Sequence, residues 1–476
     1  MNFLARCAVN MNKFYLIGVF GNRVLAVATI LALTYLLTPV EFGVFSLTAT
    51  NILVSNIILS WWISSSSYKF LVSEDESLIE KYTSNIAICT IFVALSSCVI
   101  LLTMGLYYKF DILQIILLCI WAVTLLLFDI TLAANNALGR AQSYASFALI
   151  RNSAVLGITI GCVWAGLGVT GAMIGQAMGT LLPFILYPSA SRFWRITRRA
   201  KISLPAIKEM FGFGVAGALT LGLYMLTQGF ARNAVDAKLG AAAAGQFALA
   251  LDLLNAPLML FGAAFSLSRM RALYQTHALG NHDATLIETR RFMETYLLFA
   301  LPYAFAGVIV APDLIGLVVG PDMVAGVTSI APAAVVQAGA IQIMSAFITG
   351  MLVFNYRKRV TAVIILIASI NFLAVWLMPS TSLVHLAWSS TAVITAFTLA
   401  GLAFCLFGKS RIIGLTTLAK ILFATALCAA ACWSWFHVLP FHEPISASVV
   451  GLLVFLLTAK TVGILDWSTL WERPAS

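Results

Sequence analysis

Residues 112–134 read ILQIILLCIWAVTLLLFDITLAA, and of these 23 only Asp129 carries a charge. A bilayer core of about 30 Å needs about 20 helical residues to cross it. With no water in that core the backbone must satisfy its own hydrogen bonds, so the stretch is predicted to be a transmembrane α-helix. Thirteen more stretches of this kind fill the chain: 14–37, 44–66, 83–107, 145–165, 169–188, 207–231, 241–267, 294–317, 330–354, 360–379, 383–407, 412–434 and 445–464. The predicted fold class is therefore an all-α polytopic membrane protein with 14 transmembrane helices.

Composition closes off most other classes. Apolar residues make up 61% of the 476 and charged residues 10%, which leaves no material for a separate soluble domain. The net charge of +10 is not a nucleic-acid signal, because the basic residues alternate between loops instead of gathering into one surface. With the N-terminus placed in the cytoplasm, 20 of the 28 Lys and Arg fall on that side and three (Lys109, Arg232, Lys238) on the other. The positive-inside rule then predicts that both termini are cytoplasmic. Arg6 and Lys13 precede an apolar run too long for a signal peptide, and the run is read as an uncleaved first span. None of the eight cysteines forms a CxxC pair, and Cys428 and Cys432, on one helix face, are read as small hydrophobes.

A short repeat organises the spans. Gly43-Val-Phe45-Ser-Leu47 opens span 2, and Gly245-Gln-Phe247-Ala-Leu249 opens span 8. Six spans separate the copies, an even number, so the two halves share one orientation. The expected organisation is an N-terminal lobe over 1–205, a C-terminal lobe over 206–410, and two additional spans with a tail over 411–476. In span 6, Gly171, Gly175 and Gly179 form a stripe suited to close helix packing.

Polar side chains are costly against lipid and should face the bundle or a wet cavity. Thr48, Asn51 and Ser55 share a face of span 2. Span 7 carries Thr220, Tyr224, Thr227 and Gln228, with Arg232 just past its end. Span 8 has Asp252 and Asn255, and span 10 has Gln342, Ser345 and Thr349. Hydrogen bonding in a dry core explains any one of these stripes; four together favour a polar lumen. Arg23 lies about 13 Å into span 1 at ~1.5 Å per residue, and Asp252 is similarly deep. Each would cost on the order of 3 kcal/mol against lipid. They are either an ion pair that fixes one packing or a pair that forms in one conformation and opens in another. Arg151 and Asp129 are shallower, placed to snorkel to the cytoplasmic surface or to line a vestibule there. Candidate lumen residues are thus Arg23, Arg151, Asn51, Tyr224, Gln228, Arg232, Asn255 and Gln342, with Asp129 and Asp252 as candidates for coupling or gating. No catalytic constellation, nucleotide loop or metal spacing occurs in the sequence, and no cofactor is called for.

Several segments resemble the oligosaccharide-lipid flippases of bacterial polysaccharide biosynthesis, which carry O-antigen and exopolysaccharide repeat units. That family sits in the exporter superfamily that also holds multidrug MATE pumps and lipid II flippases. Leu36-Leu-Thr-Pro-Val-Glu-Phe-Gly43-Val-Phe is similar to the family's Leu-Leu-Gly-Pro-x-Glu-[Phe/Tyr]-Gly-x-[Tyr/Phe] turn. The run from Gly245 to Met259 resembles its span-8 opening, Gly166-Leu-Gly-Val-Thr-Gly171-Ala its turn between spans 5 and 6, and Ile370-Asn371 with Met378-Pro379 its span 11. Thr38 departs from the usual glycine, and Asp252 stands where members often carry a basic or neutral residue. The resemblance implies two lobes, alternating access and a substrate of polyprenyl-pyrophosphate-linked oligosaccharide, moved across the bacterial cytoplasmic membrane. It also implies contact with membrane lipids, with H+ or Na+ as a coupling ion and with polysaccharide polymerase machinery as a partner. A MATE-type exporter would favour acidic over basic lumen residues, and a membrane polymerase would need a large outer loop, which the sequence lacks.

Overall fold

The helix starts are written locally. Thr38 Oγ1 accepts from the Glu41 amide while the Glu41 carboxylate accepts from the Thr38 amide at 3.0 Å, a reciprocal cap with Pro39 in the first helical turn. Asp111 and Gln114 cap another helix in the same way. The structure is a computed structural model. It describes residues 2–71, 76–188, 194, 202–278, 282–354, 356–379, 382–407, 413–437 and 443–462. Within these, the side chains of 2–17, 68–69, 76–80, 107, 216–224, 263–264, 266–272, 274–275, 278, 357–358, 407 and 437 lie outside the description.

Fourteen long helices are found among the described residues: α1 (Asn2–Leu36), α2 (Pro39–Phe70), α3 (Glu76–Tyr107), α4 (Ile112–Ala137), α5 (Ala141–Cys162), α6 (Gly168–Leu186), α7 (Leu204–Leu239), α8 (Ala241–Ala278), α9 (His282–Val318), α10 (Pro321–Val353), α11 (Arg357–Leu377), α12 (Leu383–Phe407), α13 (Leu415–His437) and α14 (Pro444–Thr461). They match the fourteen expected spans one for one. Twelve apolar stretches among the described residues are long enough to cross a membrane, and one of them, Ala141–Leu186, contains both α5 and α6. A five-residue π-helical piece, Val163–Leu167, joins those two helices, and Gly166 (φ 85°) and Gly168 (φ 49°) let the chain reverse there. The protein is a multi-pass membrane protein.

The chain divides into two units, Met1–Asn233 and Ala234–Ser476, so the boundary falls inside α7. In the first unit α4 packs against α2, α3, α5 and α6, α2 against α3, and α5 against α6. In the second, α10 packs against α8, α9, α11 and α12, α8 against α9, and α11 against α12. Adding six to each helix number converts one set of pairings into the other, so the repeat read from Gly-x-Phe-x-Leu is a repeat of packing. Phe45 and Phe247 are both buried within their own units, and Phe45 stacks on Trp121 of α4 with ring centres 6.0 Å apart. The additional helices α13 and α14 pack on each other and on α9. There Cys428 and Cys432 are buried side by side against Gly451, filling space between α13 and α14 as small apolar groups.

Candidate intramembrane polar site

Two close approaches build the polar centre of the first unit. A Cβ added at Gly171 would lie 2.9 Å from the main chain of Cys162, at Gly175 2.5 Å from Cα of Thr159, and at Gly179 2.6 Å from Cα of Val155. The paired numbers fall on one side as they rise on the other, so α5 and α6 run antiparallel with their backbones in contact. On the other flank of α5, Gly18 meets Ala145 and Gly21 meets Leu149, which seats α1.

Arg151 sits where these helices converge. Its Nε donates to Thr180 of α6 at 3.2 Å and its Nη1 to Asn152 Oδ1 at 3.3 Å. The guanidinium lies 4.8 Å from the ring centre of Phe128 in α4, a cation–π contact. Asp129, the next residue, attracts it electrostatically without closing to an ion pair. Asn152 in turn donates to the main-chain oxygen of Asn22 at 3.0 Å and to the Asn22 side chain, tying α1 to α5. Behind Phe128, Phe147 stacks at 5.2 Å and Phe184 meets Phe147 edge-on, so the charged groups rest on an aromatic wall.

A second cluster in the same unit joins α7 to α2. Arg232 is 5% exposed and Nη1 donates to Thr50 at 2.7 Å, which places the side chain inside the helix packing. Asn233 and Asn51 exchange amide hydrogen bonds, at 3.0 Å from Asn233 and 3.4 Å from Asn51. Tyr108, just past α3, donates to Asn233 Oδ1 at 3.2 Å. Arg23 stands apart from both clusters, exposed on α1 with Tyr144 of α5 as its electrostatic neighbour.

The second unit uses neutral groups at its centre. Gln342 Nε2 donates to Asn255 Oδ1 at 3.5 Å, and Tyr296 donates to the Gly262 carbonyl at 3.2 Å. Gly262 lies close beneath this group, since a Cβ there would lie 3.0 Å from Gln342 Oε1 and 3.3 Å from the Tyr296 hydroxyl. Tyr303 donates to the Leu254 carbonyl. Asp252 is half-buried on α8, one turn before Asn255. No group of three or more potential metal ligands occurs among the described residues.

Residues 32–328 match the family described as Polysaccharide biosynthesis protein, which is more than half of the chain. The chain belongs to that family. No curated protein is significantly similar to it in sequence. Among solved structures it is similar to the lipid II flippase MurJ in an inward closed conformation, with TM-score 0.73 and 12% identity over 94% of this chain and 98% of that one. It is also similar to an inward-facing multidrug resistance MATE family transporter of the MOP superfamily, with TM-score 0.62 and 13% identity over 84% and 96% of the two chains. A MOP superfamily transporter from Pyrococcus furiosus, described as having a binding pocket of reversed polarity, matches at TM-score 0.62 and 11% identity over 85% and 95%. At these identities the likeness is one of fold.

Of the residues singled out from sequence, this polysaccharide biosynthesis protein brings Arg151 to Asp129, Asn51 to the neighbourhood of Arg232 through Thr50 and Asn233, and Asn255 to Gln342. Arg23 belongs to the first unit and Asp252 to the second. Gln228 is half-buried on α7, and the Tyr224 side chain, like that of Thr220, lies outside the described residues. Sequence reasoning passed over Asn22, Asn152, Thr180, Asn233, Tyr108, Tyr296 and Tyr303. The available signal was adjacency, since Asn22, Asn152 and Asn233 each neighbour an intramembrane or span-end arginine.

Proposed function

We propose that the protein is a flippase that moves polyprenyl-pyrophosphate-linked oligosaccharide repeat units across the bacterial cytoplasmic membrane, by alternating access between two lobes. The observation that carries this reading is a polysaccharide-biosynthesis chain on a fold shared with a flippase of another lipid-linked saccharide. The chemistry agrees. A pyrophosphate needs cationic donors once it leaves water, and arginine meets phosphate oxygens with two parallel N–H bonds. Arg23, exposed within its span, is the first candidate for that contact, and Arg151 and Arg232 are the others. Asn51, Tyr224, Gln228, Asn255 and Gln342 supply the hydroxyl and amide groups that sugars require, while the prenyl chain stays in lipid. Protonation of Asp129 or Asp252, or Na+ beside them, is the proposed coupling, and both termini face the cytoplasm. Binding drives such a cycle only if the two states contact the substrate differently.

The test is depletion of the protein in its native cell, followed by extraction of membrane lipids. Loss of surface polysaccharide with build-up of its lipid-linked repeat unit on the cytoplasmic leaflet supports the reading. Normal polysaccharide with new sensitivity to cationic drugs overturns it in favour of a MATE-type exporter.

A further inference from the structure

We infer that Asn152 is a positioning residue for α1, and through α1 for Arg23, because Arg151 dictates which way its amide points. A guanidinium has only donors, so Nη1 of Arg151 must meet the oxygen end of the Asn152 amide. The NH2 end is thereby turned outward, where it donates to the main-chain oxygen and side chain of Asn22. Arg151 is itself held by Thr180 and the Phe128 face, so the direction of this connection is set by α4 and α6 as well as α5.

The consequence falls on α1. In the first unit this helix rests mainly on α5, with slight contact to α2. Among its contacts are Gly18 on Ala145, Gly21 on Leu149 and Asn22 on Asn152. Positions 18, 21 and 22 share one face at helical spacing. Apolar contacts such as the first two limit how closely the helices approach but carry no direction. The Asn22–Asn152 bond is directional, so it fixes the rotation of α1 about its axis. Arg23 follows Asn22, about 100° further round the helix, and is exposed. Whatever rotates α1 therefore moves this guanidinium.

The inference rests on the flippase reading for its functional half only, and the experiment separates the two. Asn152→Asp keeps an oxygen for Arg151 but removes the donor to the Asn22 main-chain oxygen, a bond that a turned-over Asn22 side chain cannot replace, so α1 loses that tie. Arg151→Lys keeps a donor to Asn152, whereas Arg151→Met lets the amide turn over. A nitroxide is attached at Val24→Cys, an exposed position on α1, with the native cysteines' signal subtracted using protein that lacks Val24→Cys. Its mobility is compared with repeat-unit export by the same variants in cells. The expected result is a more mobile label in Asn152→Asp and Arg151→Met and an unchanged one in Arg151→Lys. Export should fall about fivefold with Asn152→Asp, the effect of one hydrogen bond. An unchanged label in Asn152→Asp overturns the inference, and so does a loosened α1 with full export. If the wild-type protein exports no repeat unit, the flippase reading fails, and the label contrast still decides whether Asn152 holds α1.

Discussion

Gly175→Ala tests whether backbone contact between α5 and α6 creates the Arg151 site. The added methyl would lie 2.5 Å from Cα and 2.6 Å from N of Thr159, where ordinary contact begins at 3.4 Å. Both atoms belong to the main chain, so no rotamer change can relieve the overlap, and the helices must separate by about 0.9 Å. Overpacking of this kind costs about 1–3 kcal/mol. The separation also lengthens the 3.2 Å bond from Arg151 to Thr180 beyond hydrogen-bond range, which removes about 1 kcal/mol more. Gly157→Ala, on the partner helix α5, is the control. Nothing lies within 4 Å of its added carbon, so only helix propensity acts, and alanine gains up to about 1 kcal/mol. The propensity gain is common to both variants, so thermal unfolding of the purified proteins in detergent should separate them by about 2–4 kcal/mol, with Gly175→Ala the less stable. Equal shifts, or a stabilised Gly175→Ala, would refute the account of α6 seated on the α5 backbone.

Arg151→Met removes the hydrogen bonds to Thr180 and to Asn152 Oδ1 and should cost about 1–3 kcal/mol in thermal unfolding, whereas Arg151→Lys should cost less. Asn233→Asp removes the donor to Asn51 and to the Gly229 carbonyl, and a loss of about 1–3 kcal/mol is expected by the same measurement. Thr38→Ala breaks the cap of α2 and should cost about 1 kcal/mol, whereas Thr38→Gly, the residue usual in the family turn, should cost only a few tenths.

The span pattern was legible because hydropathy reports on length and on lipid, and both are set by single residues in sequence. The helices run further than the apolar stretches where polar ends follow: α8 continues to Ala278 and α9 begins at His282, past the expected limits of 267 and 294. The repeat was legible at Gly43-x-Phe45 and Gly245-x-Phe247 because both aromatics are buried at the start of equivalent helices and so keep the same short pattern. The partners of the polar residues were not legible. Asn51 gave no sign that it meets Asn233, 182 residues away, and Arg232 gave none that it meets Thr50, because a position at the end of a span does not reveal which helix covers it. Arg151 was read as free to snorkel, since nothing in its own helix shows that Phe128 and Thr180 enclose it. Neutral amides such as Asn22 and Asn152 escaped notice beside charged neighbours, although in a medium without water their hydrogen bonds determine helix rotation.

The reversal at Gly166 and Gly168 bears on how the protein enters the bilayer. An insertion apparatus that senses hydrophobicity meets one 46-residue stretch, Ala141–Leu186, whose charged and amide side chains lie within the two helices, so that no charged loop marks the first helix as finished. Two glycines in left-handed conformations are all that fold this length back on itself, and Gly168 leaves space for the Glu41 carboxylate that caps α2. The pair α5–α6 should therefore pass sideways into lipid as a preformed hairpin, after α2 is in place to receive its tip.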